Sequence, residues 1–315
     1  MVKSKEKLKN FQKQFKHRFN FMVDEPMKKH TSLGIGGPAD LFAMPETELE
    51  FIDLIAYAYE YLVPLTIIGN GTNLLVSDKG IRGVVISTSR LKTKIEKNKI
   101  DNKTYRVTAL SGTKLTELGN FAMDNSLTGL EFAAGIPGTL GGAVTMNAGA
   151  HGGSVSELVH SIDVVTHQGK IKKLNKNDLE FSYRHLKNRG IITRICLTLK
   201  KGEKQSIKDL FNKNLSSKRS TQPLSVKSAG CIFKNPEQGK TAGKLIDMAG
   251  LKGKRINSAV ISEKHGNFFF NHGGATCNDL MELIDFTKQK VSALYSVNLK
   301  TEIIIMGEQN ETEQI

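Results

Sequence analysis

Residues 129–153 read GLEFAAGIPGTLGGAVTMNAGAHGG, and this stretch decides how the rest of the chain is interpreted. It holds eight of the chain's 29 glycines in 25 residues. Glycine is costly inside helices and strands, and is favoured where the backbone turns with positive φ or lies directly against a ligand. The neighbouring residues are small and apolar, unlike those of a flexible linker. The stretch predicts a buried loop pressed against a large, flat, partly anionic ligand; tight turns under ordinary packing remain the alternative.

The bulk composition indicates a folded protein with anionic partners. The chain has 315 residues, enough for two or three domains, a net charge of +14 and a pI near 9.5. Nucleic acid, a membrane surface and phosphate-bearing small molecules would all suit this charge. Three separated cysteines without a CxxC pair argue against a disulfide framework or a zinc finger. The sequence shows no membrane-spanning run and no signal-peptide core, so we expect a cytoplasmic protein.

A second glycine loop follows a short β-rich run at residues 65–68. It reads Gly69-Asn70-Gly71-Thr72-Asn73-Leu74. A Rossmann fingerprint is excluded, because Leu74 stands at the third glycine position and Ser89-Arg90 stand where a ribose-binding acid should be. An anion-binding nest of backbone amides and a plain β-turn both remain open.

The predicted elements favour an α+β fold, because strands and helices alternate over residues 40–200 without a regular βαβ repeat. Leu8, Phe11, Phe15 and Phe19 predict an N-terminal helix that packs against the body. A helix opened by Pro45 is expected to bury Leu49, Ile52, Ile55, Ala56 and Tyr59. A last strand is expected over residues 299–307. The predicted parts are a basic helix (1–20), two subdomains (21–90 and 91–205), a third domain (206–308) and a tail (309–315).

Three residues in separate segments could carry chemistry. Arg184, beside Tyr183 in FSYR, could grip a carboxylate through two parallel hydrogen bonds. Cys231 follows Gly230 between two lysines, which makes a chemically used thiol credible. Glu302 lies in an apolar run. Each also has an ordinary explanation: a surface arginine, a buried filler cysteine and a charge at the rim of the core.

Taken together, the segments GNGTN, GLEFAAGIPGTLGGAVTMNAGA, FSYR, SAGCIFKNP with AGKLID, and LKTEIIIMG resemble the UDP-N-acetylenolpyruvoylglucosamine reductases over residues 30–307. The short interval between Arg184 and Cys231 is similar to that of the class lacking an extra tyrosine-bearing insertion. The resemblance implies a two-subdomain FAD-binding fold of the vanillyl-alcohol oxidase type, followed by a C-terminal α+β substrate domain. It implies non-covalent FAD, NADPH as reductant, and reduction of a UDP-sugar enolpyruvyl ether to UDP-N-acetylmuramate for peptidoglycan synthesis.

The resemblance also implies roles for individual residues. Arg184 would bind the enolpyruvyl carboxylate, Cys231 would protonate C2 in the place where many members have serine, and Glu302 would assist. Tyr183, Asn235 and Arg219 would contact the substrate. Leu186 stands where the family motif usually has serine. The FAD-binding positions would be Gly69, Asn70, Gly71, Thr72, Asn73, Leu74, Gly135, Ile136, Pro137, Gly138, Thr139, Gly141, Gly142, Ala143, Asn147 and Ala148.

Two other functions compete with this one. An FAD-dependent oxidase of another hydroxy or sugar substrate would share the fold, but would lack the combined Arg184, Cys231 and Glu302 set. A basic RNA-binding protein would explain the charge, yet the chain has no Trp and 7% aromatic residues, without an RNP-like pattern. We therefore expect a monomer with a small-molecule substrate, no nucleic-acid partner, no membrane partner and no metal.

Overall fold

The computed structural model describes residues 2–92, 94–187, 190–223 and 225–308, so the tail predicted over 309–315 lies outside the described residues. The chain divides into two compact units. The first comprises residues 1–22, 41–70 and 83–218, and the second comprises residues 23–40, 71–82 and 219–315. The mixture of sheets and helices confirms the predicted α+β class.

The helices are α1 (Val2–Phe15), α2 (Glu48–Glu60), α3 (Leu115–Asp124), α4 (Leu140–Thr145), α5 (Val155–Leu158), α6 (Lys204–Thr221), α7 (Ala242–Met248) and α8 (Cys277–Tyr295). The strands are β1 (Phe21–Pro26), β2 (Pro38–Ala43), β3 (Leu65–Ile68), β4 (Leu74–Val76), β5 (Ile81–Ser87), β6 (Glu96–Lys99), β7 (Thr104–Leu110), β8 (Leu127–Thr128), β9 (Gly149–Ala150), β10 (Gly153–Ser154), β11 (Val159–Val165), β12 (Ile171–Asn175), β13 (Glu180–Ser182), β14 (His185–Lys187), β15 (Ile191–Lys201), β16 (Lys227–Cys231), β17 (Arg255–Ile256), β18 (Ala259–Ile261), β19 (Phe268–Asn271) and β20 (Ile304–Met306). Within these described ranges, no helix is long and apolar enough to cross a membrane.

An antiparallel sheet in the order β12-β11-β15-β7-β6 organises the larger part of the first unit. Its long strand β15 pairs with both β11 and β7, and buries Ile195, Leu197 and Leu199 at alternate positions. Strands point successive side chains to opposite faces, so this alternation places one face in the core. The same core contains side chains of α3 and α4. The sheet therefore supports the glycine-rich loop that ends in α4.

A second core of the first unit contains the N-terminal segment. Phe11, Phe15 and Phe19 are buried together with side chains of α2. Phe15 stacks on Tyr57, and their ring centroids are 4.4 Å apart. Packing of the phenylalanine stripe against the body is thus confirmed, although α1 ends at Phe15, before Phe19.

The face predicted for α2 is only partly correct, since Ile55 is buried and Ile52 and Tyr59 pack against the core, but Leu49 does not. Leu49 is 74% exposed, whereas Phe51, Leu54, Ile55 and Ala58 are fully buried. The helix starts at Glu48 rather than at Pro45, because Thr47 and Glu50 form a capping box that satisfies the first amides. The three- and four-residue spacing of the buried set is ideal for one helix face. Two such sets overlap in this segment, and the one with the larger Phe51 ring faces the core.

The second unit has its own sheet and core. Strands β16, β19, β18 and β17 follow one another in an antiparallel sheet, with α7 and α8 contributing to the core. Leu33, Ile35 and Leu75 belong to the same core, although they come from early segments of the chain. Strand β20 pairs in parallel with β4. The predicted last strand over 299–307 is shorter than expected: only Ile304–Met306 is regular, and Thr301 forms an isolated bridge with Phe233.

Candidate active site

Gly69 and Thr139, one from each of the two glycine loops predicted to bind FAD, lie close together in the first unit. A Cβ atom added to Gly69 would overlap the hydroxyl of Thr139, so the backbone of the first loop lies directly against the second. Gly71, in the second unit, has a φ of +63°, and its Cβ would overlap the carbonyl oxygen of His30. Only glycine can adopt this conformation at such an approach without strain.

Main-chain hydrogen bonds hold the loop that leads into α4. The amides of Leu140 and Gly141 donate to the carbonyl oxygens of Thr113 and Ser111 at 2.7 Å and 2.8 Å. Thr139 caps α4, because its hydroxyl accepts from the amide of Gly142 at 3.3 Å. Pro137 and Gly142 remain exposed on this fixed backbone. The result is a rigid surface almost free of protruding side chains.

The residue types of the two glycine loops suit flavin adenine dinucleotide. The loops at 69–73 and 135–148 contain no charged residue and offer main-chain groups, small side chains and the hydroxyl and amide groups of Thr and Asn. Such groups suit a diphosphate and the polar edge of a ring system. Pro137 and Gly142 are exposed, so their backbone is accessible to a ligand. The residues present therefore agree with the cofactor that the sequence predicted.

Tyr183 and Arg184 form the two-residue loop of a hairpin in the first unit. Strands β13 and β14 pair with Ser182 opposite His185, which leaves only these two residues at the tip. Arg184 adopts a left-handed φ of +56°, which is strained for a side chain of this size. Its guanidinium lies 5.2 Å from the ring centroid of Tyr183, which is 52% exposed. The hairpin thus presents a cation beside an aromatic ring.

Asn147 fixes this hairpin to the end of the glycine-rich stretch. Its side-chain amide donates to the carbonyl oxygen of Ser182 at 3.0 Å, and its side-chain oxygen accepts from the amide of Ser156 at 3.3 Å. The structure therefore brings one predicted FAD-binding residue next to the predicted arginine. Leu186 is buried in the core of the sheet. The Leu186 side chain therefore contributes apolar packing at this position.

The segments that contain Cys231 and Glu302 are neighbours in the second unit. Cys231 ends β16 opposite Phe268, after a bulge that contains Gly230 with a φ of +80°. The amide of Glu302 donates to the carbonyl oxygen of Ile232, the residue after Cys231, at 2.7 Å. Two segments that are 70 residues apart in the sequence are therefore hydrogen-bonded neighbours at the two predicted catalytic positions.

Two predicted substrate-binding residues lie at the surface of the second unit. Asn235 is exposed, and its side-chain oxygen accepts from the amide of Ala242 at 3.1 Å near the start of α7. Arg219 is exposed in α6, and its carbonyl oxygen accepts from the ammonium of Lys264 at 2.7 Å. Both side chains are placed where a ligand could reach them.

The three cysteines differ in their surroundings, and none forms a disulfide. Burial beside Asp78 raises the pKa of the Cys277 thiol to about 12, so this residue stays protonated and unreactive. Cys196 lies in the middle of β15. Of the three, only Cys231 ends a strand, next to a bulge and beside the segment that contains Glu302.

Sequence reasoning missed Asn267. Its side chain is 2% exposed and bonds to both the amide and the carbonyl group of Phe233. The nearby His265 accepts the main-chain amide of Asn267 through Nδ1 at 3.2 Å, and burial lowers the pKa of this histidine. A polar residue immediately before the apolar run of β19 was the available signal in the sequence.

Comparison with known proteins decides the family. A sequence profile of the C-terminal domain of UDP-N-acetylenolpyruvoylglucosamine reductase matches residues 222–306, and a profile of an FAD-binding domain matches residues 39–175. The UDP-N-acetylenolpyruvoylglucosamine reductase of Clostridium botulinum strain 657 is 45% identical over 308 residues, which cover 96% of this chain and 98% of the relative. This chain belongs to the UDP-N-acetylenolpyruvoylglucosamine reductase family.

Other members of the family agree with this assignment. The reductase of Heliobacterium modesticaldum is 42% identical over 294 residues, with 92% of each chain covered. The crystal structure of the reductase from Thermus caldophilus superposes with a TM-score of 0.77 at 35% identity, covering 91% of this chain and 98% of that one. The family resemblance drawn from the motifs is confirmed, and so is the prediction of an FAD-binding fold followed by a C-terminal domain.

Proposed function

We propose that this protein reduces the enolpyruvyl ether of UDP-N-acetylglucosamine to UDP-N-acetylmuramate, using NADPH and non-covalent FAD, for peptidoglycan precursor synthesis. Family membership supports the overall reaction. The observation that carries the residue assignment is the hydrogen-bonded pairing of the Cys231 and Glu302 segments in the second unit. A proton donor and a carboxylate on adjacent backbone suit a reaction that must stabilise and then protonate a carbanion.

FAD would be held by the residues of the two glycine loops described above, from Gly69 to Leu74 and from Gly135 to Ala148. When bound, FAD accepts a hydride from NADPH and supplies one to C3 of the substrate. The chain's part is to keep this surface rigid, which the bonds of Leu140 and Gly141 to the neighbouring strand end achieve. Rigid placement keeps the reacting atoms in line without a cost at the moment of reaction.

Arg184 would bind the substrate carboxylate. Addition of a hydride to C3 leaves negative charge at C2, which the adjacent carboxylate delocalises. A guanidinium paired with that carboxylate stabilises the charge as it develops. The strained conformation of Arg184 at the hairpin tip agrees with a functional position, since strain of this kind persists where the surroundings impose it.

Cys231 would donate the proton that completes the reaction. Its S–H bond breaks as a C–H bond forms at C2, and the resulting thiolate recovers a proton from solvent. A thiol with an ordinary pKa near 8.5 is a better acid than the serine hydroxyl usual at this position. Glu302 would assist by a hydrogen bond or proton to the substrate carboxylate while charge is present.

Substrate contacts complete the proposal. Tyr183, Arg219 and Asn235 would bind the diphosphate and sugar portions, and the net charge of +14 suits ligands that each carry phosphate. We further propose that the enzyme is a monomer and acts in the cytoplasm. Size-exclusion chromatography with light scattering tests the oligomeric state directly.

Anaerobic stopped-flow spectroscopy separates the two halves of the reaction. NADPH is added to the FAD-loaded enzyme and loss of the flavin absorbance is followed; the enolpyruvyl substrate is then added and its return is followed. The wild type should complete both steps. Cys231→Ala should be reduced at the normal rate, but its reoxidation by substrate should be at least about 100-fold slower.

Cys196→Ala is the matched control, because it removes a thiol from β15 of the first unit, whereas Cys231 belongs to the second unit. It should complete both steps normally. Failure of the substrate to restore the flavin absorbance of the wild type would refute the proposed reaction. Equal slowing of both steps in Cys231→Ala would refute the role of Cys231 as the proton donor.

A further inference from the structure

The backbone from Cys231 to Phe233, here called the acid segment, lies between two neighbours in the second unit. On one side it pairs with residues 300–302: Glu302 donates to Ile232, and the next residue, Lys234, donates to Lys300 at 2.8 Å. On the other side its neighbour is Asn267, which precedes β19. Both neighbours must stay in place for Cys231 to keep a fixed position relative to Glu302.

The side chain of Asn267 acts as a peptide group toward this segment. Its oxygen accepts the amide of Phe233 at 2.9 Å, and its nitrogen donates to the carbonyl oxygen of Phe233 at 2.8 Å. Its own carbonyl oxygen accepts the amide of Ile232 at 2.9 Å. One residue therefore makes three hydrogen bonds to two consecutive residues.

The location of these bonds explains why a side chain is needed. The regular pairing of β16 with β19 stops at Cys231 and Phe268, after the bulge at Gly230. Beyond that point the main chain of residues 265–267 turns away, with the amide of Phe268 bonded to the carbonyl oxygen of His265. A bare turn would leave Phe233 with unsatisfied polar groups in a buried position, which is costly. The amide of Asn267 replaces the missing strand.

We infer that Asn267 is a positioning residue for proton delivery by Cys231. This inference rests on the proposed function. Asn267 fixes the backbone immediately after the thiol-bearing residue and keeps the same backbone paired with the segment of Glu302. A small displacement of the acid segment would move the thiol away from C2 of the substrate, while the first unit, which carries most of the predicted FAD-binding residues, would be unchanged.

Asn271 offers an internal comparison. It is the last residue of β19, the strand that Asn267 precedes; it is 6% exposed, and both the oxygen and the nitrogen of its side-chain amide bond to backbone groups. Its oxygen accepts from Gly273 and Ala275, and its nitrogen donates to the carbonyl oxygen of Leu33. These bonds tie other segments of the unit together and do not involve the acid segment. Because Asn271 is also buried but bonds to different partners, it is a matched control.

The test variant is Asn267→Asp, which keeps the shape and the acceptor but loses the N–H donor when ionised. Anaerobic reduction by NADPH should stay within about twofold of the wild type, whereas reoxidation by substrate near pH 8 should be about 100-fold slower. A protonated carboxyl can donate to Phe233 again. The ratio of the variant's reoxidation rate to that of the wild type should therefore rise as the pH is lowered toward about 5.5.

Taking the ratio at each pH removes the effects of ionisations that both proteins share. Asn271→Asp should keep a pH-independent ratio close to one. If Asn267→Asp purifies without FAD, Asn267→Gln is used instead; its longer arm should displace the segment and slow reoxidation selectively by about tenfold or more. For Asn267→Gln, the rates of the two half-reactions decide the outcome, without the pH series.

Several outcomes overturn the inference. A wild-type rate of reoxidation in both Asn267 variants would do so, as would equal slowing of the two half-reactions in Asn267→Asp. An Asn271→Asp variant that slows reoxidation as much as Asn267→Asp would also overturn it. A flat ratio across the pH range would also count against it. If instead the wild-type flavin is not reoxidised by the substrate, the proposed function fails and not the inference about Asn267.

Discussion

Two asparagines, one in each unit, hold the segments that carry the proposed catalytic groups, and they do so in different surroundings. Asn147 bonds to the hairpin of Tyr183 and Arg184 from a half-exposed position in the first unit. Asn267 bonds to the acid segment of the second unit and is 2% exposed. Water can replace the bond of the first asparagine but cannot easily replace those of the second. The hairpin is therefore held loosely by its asparagine, and the acid segment tightly.

The looser attachment of the hairpin and the tighter attachment of the acid segment match the roles expected of Arg184 and Cys231. An arginine that grips a carboxylate carries its charge on a long side chain, which can adjust to the ligand. A thiol that must reach one carbon atom has a short side chain, and its position depends on the backbone beneath it. A backbone fixed by a buried amide therefore suits Cys231, and a strained, partly exposed hairpin tip suits Arg184.

Removing each asparagine measures this difference directly. Asn267→Ala should lower the free energy of unfolding by about 3 kcal/mol, because two buried groups of Phe233 lose their partner. For Asn147 the variant is glycine, since its φ is +41° and alanine would add strain. Asn147→Gly should cost less than about 1 kcal/mol. Urea unfolding of the FAD-free proteins gives both values, and equal losses would remove the contrast.

Adjacent glycines in α4 test whether the first unit relies instead on close backbone packing. A Cβ at Gly141 would lie 2.7 Å from Cβ of Ser111, whereas at Gly142 the nearest atom is the Thr139 hydroxyl oxygen at 3.4 Å. Gly141→Ala should destabilise by about 1–3 kcal/mol, while Gly142→Ala should stabilise by up to about 1 kcal/mol because alanine favours helix. Thermal unfolding without FAD compares them. Similar shifts for both would mean that the loop is less constrained than its contacts indicate.

Replacement of Arg184 at the hairpin tip should lower the rate of reoxidation by substrate without lowering the free energy of unfolding. Arg184→Gly relieves a left-handed conformation but adds freedom to the unfolded chain, so the free energy of unfolding should change by less than about 1 kcal/mol. Reoxidation by the substrate should fall by about 100-fold or more. His185→Ala, at an exposed position of the same hairpin, should leave the rate unchanged. A large loss of stability in Arg184→Gly would show that Arg184 also stabilises the fold.

The smallest effect concerns pH. Burial lowers the pKa of His265 below its ordinary value, so the folded protein favours the neutral ring more than the unfolded chain does. The unfolded state then binds more protons below about pH 6.5, and stability is lost as the pH falls from there through the lowered pKa. His265→Gln should flatten this part of the profile of unfolding free energy against pH. An unchanged slope would show that other groups, such as the paired carboxylates, account for it.

Much of this architecture could be predicted from local sequence patterns. The phenylalanine stripe of the N-terminal segment, the strand before Gly69 and the α+β class all follow from periodicity and glycine placement. The buried face of α2 could not, because two sets of apolar residues have helical spacing there, and only the core decides between Leu49 and Phe51. Packing against other segments is a property of the whole fold, which no local pattern contains.

The candidate site shows the same limit. The reactive residue types at Arg184, Cys231 and Glu302 were visible in the sequence together with the family motifs. Asn267 was not, because its importance depends on the end of regular strand pairing at Phe268 and on a turn that leaves Phe233 in need of a partner. A polar residue before the apolar run of β19 was visible in the sequence, but it does not by itself mark the place where strand pairing stops.

The interleaved course of the chain has a consequence for how this protein can be made and altered. Leu33, Ile35 and Leu75 complete the core of the unit that otherwise comes from residues 219 onward. A ribosome has therefore released these three residues long before the segment that they stabilise emerges. A gene fragment encoding residues 222–306 alone would translate into a polypeptide with a gap in its interior. Exchange of this unit between relatives by recombination thus needs breakpoints near residues 23, 41, 71 and 83 as well as near 219.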